Sequence, residues 1–381
     1  MTSPILSRPG AVAPPEGSRD AGVPWHFGDP LAEQRTATRS AAVVDRSHRT
    51  VLVVEGEDRL SWLHSLLSQH VAALPEGTGT EALVLDSQGR IDTHLVLAHL
   101  DGRVWLDSDP GATATSARPG GQAESLLQYL DSMRFWSRVE VRDATAAPEG
   151  GVALLSVLGP ESPAVLAAAG VEVPDQPYQV IGFAGGWVRR MPWPGRVAFD
   201  LLVPRQELAA WWERLTDAGA RPAGSWAFEA LRVESLRPRV GLDTDNRSIP
   251  HEVGWIGTAV HLEKGCYRGQ ETVARVHNLG RPPRQLVLLH LDGAQEVLPE
   301  PEDPVVLDGR TVGRVGSAVQ HHELGPIALA LVKRSVPPEA ELVAGVEDRA
   351  VAAAIDPDSV RALHPENGEP PGRVALRRLR S

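Results

Sequence analysis

The chain has one cysteine in 381 residues. A single thiol excludes an intramolecular disulfide and any all-cysteine metal site, and it fits a reducing compartment. Positive charge is also short: 38 Lys and Arg stand against 49 Asp and Glu, a formal net charge of −11. That balance excludes the broad basic face of a general nucleic-acid binder, though not a local basic pocket for a small anion. No stretch approaches the ~20 consecutive apolar residues of a membrane span. No early segment has the charged start, apolar run and small-residue cleavage site of a signal peptide. The expectation is a soluble, cytoplasmic protein. Tyrosine is scarce, at 3, beside 10 tryptophans. Trp193, Trp226 and Trp255 fall near the motifs below, where they suit the wall of a slot for a flat ligand as well as a core.

The length allows two or three domains of roughly 100–200 residues. Residues 1–24 carry Pro4, Pro9, Pro14, Pro15 and Pro24 and read as a disordered tail. From 25 to 150, Val43-Val44 and Val51 to Val54 read as strands flanking Asp45-Arg46-Ser47-His48-Arg49. Leu60, Leu63, Leu66, Leu67 and Val71 form a stripe at helical spacing. Ala82 to Leu85 and Ile91 to Leu100 read as strands joined by the turn Asp86-Ser87-Gln88-Gly89-Arg90. The rhythm returns from 151 to 283, with strands at Val152 to Leu158, Trp187 to Met191 and Val197 to Val203. Helices follow over Leu208 to Leu215 and after Ser225, a candidate cap. Two α+β units are expected. From 284 to 368 the texture is short β-rich segments separated by Gly and Pro, which predicts a small β-barrel. The Pro- and Arg-rich end reads as frayed.

The lone cysteine, Cys266, sits in Lys264-Gly265-Cys266-Tyr267-Arg268-Gly269-Gln270-Glu271. Lys264 and Arg268, two residues to either side, favour a thiolate by charge proximity. Gly265 and Gly269 suit a turn at which backbone closely approaches another group. The alternative is an inert buried thiol packed as a small hydrophobe.

This octapeptide resembles the signature of the YgfZ family of folate-binding proteins, relatives of the glycine-cleavage T-protein (aminomethyltransferase). The resemblance runs over roughly residues 35 to 345. It is carried further by Ser40-Ala-Ala-Val-Val-Asp45, Gln88-Gly-Arg-Ile-Asp92, Phe199-Asp200, Leu231-Arg232-Val233-Glu234, Ile249-Pro250-His251-Glu252 and Val312-Gly-Arg-Val-Gly-Ser317. It implies a T-protein-like ring of two α+β domains and a C-terminal β-barrel, with tetrahydrofolate or a one-carbon derivative in a central hole. It also implies a role in assembling or repairing iron–sulfur enzymes, with those clients or their assembly proteins as partners.

A reduced folate needs a carboxylate or amides for its pterin ring, cations for its glutamate tail, and an acid or base beside any reacting nitrogen. Asp200, after the apolar run Val197-Ala198-Phe199, is the candidate for the pterin carboxylate. Arg232, on a helix face, either snorkels to water or reaches inward. Asp92 is the candidate acid at the turn. The T-protein usually carries two adjacent carboxylates there, whereas this chain has Asp92-Thr93, a departure that weighs against T-protein catalysis. His94 reads as a strand-surface histidine that can carry a proton. Lys264, Tyr267, Arg268, Gln270 and Glu271 form the second set of candidate folate contacts around Cys266, the candidate catalytic thiol. One thiolate cannot hold an iron–sulfur cluster, which usually takes four cysteines. Four functions are therefore in play: a folate-dependent iron–sulfur factor, a folate-dependent one-carbon transferase, a Cys-His hydrolase, and a partner in nucleic-acid modification. The hydrolase lacks a recognisable nucleophile turn, and the charge disfavours direct nucleic-acid binding.

Overall fold

The structure, a computed structural model, describes residues 2–115, 122–145, 151–294 and 297–363. The chain divides into two compact units. The first holds 1–64, 71–81 and 93–235; the second holds 65–70, 82–92 and 236–381.

The first unit is built on a six-stranded sheet in the order Val180–Phe183, Gly186–Met191, Ala198–Pro204, Val152–Leu158, Ala42–Asp45, Arg221–Ala223. Val152–Leu158 is buried at every position. Such a strand reads as a continuous apolar run because both sheet faces are covered. Leu155 and Val157 face one cluster with Trp211, Trp212 and Leu215 of helix Leu208–Asp217. Leu158, one residue out of phase, faces another with Phe228 and Leu231 of helix Ser225–Glu234. Ser225 does not cap that helix: Gly224 occupies the cap position and no side chain closes the first turn.

A five-stranded sheet follows the order Thr78–Leu85, Ile91–Leu100, Arg103–Ser108, Thr50–Glu55, Glu140–Asp143. The tip of its first hairpin, residues 82–92, counts with the second unit. The apolar stripe after strand Thr50–Glu55 begins as helix Arg59–Leu66, and Leu67 and Val71 are buried beyond its end.

The expected disordered tail is instead ordered. Pro4–Ser7 forms a 3-10 turn, Ile5 is fully buried in the sheet core, and the Ser3 hydroxyl donates to Asp45. Proline at the first position of a helical turn loses no hydrogen bond, so proline content there did not mean disorder.

The second unit contains a closed six-stranded barrel in the order Arg284–Leu291, Gly325–Lys333, Arg310–His321, Pro304–Leu307, Glu341–Ala344, Val351–Ile355. Closure removes the exposed strand edges that would otherwise template pairing. Val287, Leu289, Val305, Val315, Ala328 and Ala330 fill its interior. The expected mixed α+β architecture with a C-terminal barrel is what the chain adopts. The frayed end expected past the barrel lies outside the described residues. Among the described residues no helix is long and apolar enough to cross a membrane.

Candidate functional site

In the second unit, the octapeptide forms a turn that ends in helix Gln270–Leu279, with Gly269 at the cap in a left-handed conformation, φ 80°. A Cβ on Gly269 would stand 2.6 Å from the Asp86 carbonyl and 2.7 Å from Gly89 Cα. A Cβ on Gly89, φ 77°, would stand 3.0 Å from the Gly269 carbonyl. The two glycines thus let the Gln88-Gly-Arg-Ile-Asp92 turn and the cysteine motif pack backbone to backbone. Two segments 180 positions apart in sequence meet there.

Within the motif the side chains divide into anchors and exposed groups. Lys264 is buried, and its ammonium donates to the Leu67 carbonyl and, at 3.3 Å, to that of Gln69. Burial pulls its pKa down to about 8, against a smaller opposing effect of Cys266. Tyr267 is buried under it, with the ammonium 4.9 Å from the ring centre, and burial pushes the phenol up to about 12. Lys264 therefore holds the motif to residues 65–70, and Tyr267 packs against Lys264. Cys266 is exposed, so the inert buried thiol is not what forms. The Gln270 amide donates to its Sγ at 3.6 Å while the Gln270 carbonyl accepts from Tyr267 N. Glu271 is exposed, and Arg268 and Asp92 are half-buried. His261 lies beside His70, ring centres 5.5 Å apart, and His277 beside His251. Glu252 of the Ile249-Pro-His-Glu252 segment is buried and binds Arg284 at the start of the barrel.

The first unit holds a buried ionic network. Arg189, fully buried, donates to Asp107 at 2.8 Å and Asp200 at 2.9 Å. Asp107 also takes Arg49 at 2.9 Å. Burial alone would raise the Asp107 carboxyl, but Arg189 and Arg49 outweigh it and hold the pKa below the usual range. The other Asp200 oxygen accepts from Ser156 Oγ at 2.6 Å. With both oxygens engaged inside the sheet and the residue buried, Asp200 is an internal ion-pair partner. The sheet registers Arg189 directly opposite it, and a strand-centre carboxylate finds that partner first. Arg232 is buried, not snorkelling, and its fork closes on Glu229 of the same helix at 2.8–3.1 Å.

Arg46 is different. It is 7% exposed, and its guanidinium lies 3.7 Å above the Phe228 ring centre. Asp200, Asp107 and Asp109 act on it through space, but among the described residues none hydrogen-bonds it. Burial first, then Arg49, pulls its pKa down to about 10. A buried cation without a bonded anion is costly unless a ligand completes it. Phe228 lies one helical turn before Arg232, so the two guanidinium groups sit along one helix.

A third group centres on Glu81, which is fully buried. It accepts from Trp193 Nε1 at 2.9 Å and from the Tyr178 hydroxyl, and it binds His94 at 2.8 Å. His94 is thus a carboxylate-backed imidazole rather than a strand-surface one. Thr93, in place of a second acid, is buried and donates to the Thr113 carbonyl at 2.6 Å. Trp255 is core, and Trp226 stacks on Trp25 at 4.4 Å.

Sequence reasoning missed Arg46 and Glu81. Arg46 follows a strand whose every residue is buried, a hint that its side chain has little water to reach. Glu81 gave no signal, because Trp193, Tyr178 and His94, which meet it, come from three separate segments.

Comparison with known proteins matches two stretches of the chain. Residues 21–264 match the GCVT N-terminal domain, and residues 284–358 the glycine cleavage T-protein C-terminal barrel domain. The chain is 28% identical over 279 residues to an aminomethyltransferase of Nitrosococcus oceani, covering 70% of each protein. It is 27% identical over 324 residues to an aminomethyltransferase of Streptomyces avermitilis, covering 81% of this chain and 83% of that one. The crystal structure of glycine cleavage system aminomethyltransferase T from Bartonella henselae superposes with a TM-score of 0.77 at 21% identity, over 92% of this chain and 94% of that one. At that identity the likeness is one of fold.

Proposed function

The chain belongs to the GCVT N-terminal domain family, and from that membership we propose that it binds a reduced folate and serves one-carbon transfer of the aminomethyltransferase type. The observation that carries the proposal is Arg46. A guanidinium stacked on Phe228, buried and lacking a bonded anion, fits an acidic ligand with a flat ring. Arg232, held on the same helix by Glu229, supplies a second fixed cation. When bound, tetrahydrofolate supplies the N5 and N10 nitrogens on which a one-carbon unit is carried. His94 is the candidate acid or base for such chemistry, and Glu81 orients its ring. Thr93 is committed to a carbonyl and is no acid, so the missing second carboxylate does not by itself exclude proton transfer. The test is to incubate the protein with tetrahydrofolate and an aminomethyl donor, whose amine leaves as the carbon passes to N5 and N10, and assay 5,10-methylene-tetrahydrofolate. Product formed by the wild type and lost in His94→Gln is the expected result. Folate binding without product from any donor would sink the transfer reading.

A second reading is favoured by the exposure of Cys266. A folate-binding protein of the YgfZ type supports iron–sulfur enzymes through this thiol, as nucleophile, redox group or transient soft ligand. Reduced activity of iron–sulfur enzymes in a deletion strain, restored by the wild type but not by Cys266→Ala, is its expected outcome. Full restoration by Cys266→Ala would remove the thiol from the function.

A further inference from the structure

Independently of folate, the first unit contains a cavity of about 460 Å³. Ser47, His48, Gly111, Thr145, Arg19 and Arg205 are among its walls. The His48 side chain is 94% buried, from an exposure of 6%. Its Nε2 meets Asp20 Oδ1 at 3.1 Å, and its Nδ1 is buried with no hydrogen-bond partner among the described residues. Buried polar atoms are almost always bonded, so an orphan at a cavity wall marks a group that a ligand satisfies. Arg205 shows a related shortfall. Its Nε donates to the Thr145 carbonyl at 3.2 Å and its Nη2 to the Ser47 carbonyl at 2.9 Å. Among the described residues no carboxylate hydrogen-bonds it, and Asp45 and Asp143 act only through space. Arg19, exposed, adds a second guanidinium at the wall. The carbonyls fix the Arg205 fork in place, and the positive side of the cavity is then preorganised at little further entropic cost.

We propose that this cavity is a binding site for a small oxyanion, a carboxylate or phosphate group, held by Arg205 and His48 with Arg19 at its entrance. With Nε2 held on Asp20, Nδ1 is the His48 ring atom left to face the ligand. Arg205 supplies the charge-assisted contact, and the volume admits a ligand larger than the bare anion. The cavity lies wholly within the first unit and uses none of Arg46, Glu81, His94 or Cys266.

The test is calorimetric titration of the full chain with inorganic phosphate and, separately, with glutarate. Wild-type, Arg205→Gln and His48→Gln proteins are compared, with circular-dichroism melting as the control for folding. Saturable binding of either probe, weakened about tenfold or more by each substitution, is expected. Preference for phosphate identifies a phosphoryl ligand, and preference for glutarate a carboxylate one. Sulfate soaked into crystals of the wild type must also appear within hydrogen-bond distance of His48 and Arg205, a readout that survives misfolding of either variant. Absence of binding by both probes, unchanged affinity in folded variants, or sulfate bound elsewhere only overturns the proposal.

Discussion

Arg46→Met should make the protein more stable while weakening its affinity for folate. Burial draws the Arg46 guanidinium to about 10, against an ordinary value above about 12. Each pH unit of that difference corresponds to about 1.4 kcal/mol, so the folded environment disfavours the cation by about 3 kcal/mol. The sign is that of a base whose pKa is depressed on folding. The cost is fully present below the folded value, hence at neutral pH, and is relieved only as pH rises toward the unfolded value. Methionine keeps an unbranched, polarizable stem against Phe228 and removes the charge. Some cation–π attraction and the through-space pull of Asp200, Asp107 and Asp109 are lost with it. A net gain of about 1–3 kcal/mol remains. The assay is urea unfolding followed by Trp fluorescence, with the midpoint and slope compared to wild type. Tetrahydrofolate affinity should fall about tenfold or more. A variant destabilised by more than about 1 kcal/mol would show that Arg46 is satisfied within the fold, and the argument for a ligand there would fail.

Three further outcomes follow. Gly269→Ala places a Cβ 2.6 Å from the Asp86 carbonyl at a left-handed position, and should cost at least about 2 kcal/mol in urea unfolding; a loss under about 0.5 kcal/mol would contradict the close approach. Asp107→Asn removes a carboxylate shared by Arg189 and Arg49 and should destabilise by about 3–5 kcal/mol in the same assay. Lys264 has its pKa depressed to about 8 on folding, so the unfolded chain binds more protons between there and about 10. Wild-type stability relative to Lys264→Met should therefore rise between about pH 7 and about pH 9.5, and a flat or falling difference would show that the amine is not desolvated.

Much of the fold was legible because its strands announce themselves. Val152–Leu158 and Gly325–Lys333 are apolar runs bounded by turn residues, and both are paired with strands on two sides. Local pattern fails where the partner is remote. Proline-rich residues 1–24 looked unstructured because proline reports what a segment cannot do internally, not what Ile5 finds in the sheet core. At the site, the cysteine motif and the Gln88–Asp92 turn were each readable as a candidate segment, but their meeting was not; the glycine contacts explain why both need glycine. The division of labour within the motif was not readable. Lys264 looked like a thiolate-stabilising cation, but its reach toward the Leu67 and Gln69 carbonyls depends on a segment nearly 200 positions away. Asp200 looked like a ligand group because a carboxylate in an apolar strand is anomalous; the cross-strand register that gives it Arg189 lies outside any single-sequence pattern.

The most direct measurement is calorimetric titration of the full-length protein with tetrahydrofolate, beside Arg46→Met and Arg232→Ala. The account predicts saturable binding near micromolar affinity that both substitutions weaken about tenfold or more. Absence of binding by tetrahydrofolate and by 5-formyl-tetrahydrofolate in a folded wild-type protein would contradict it.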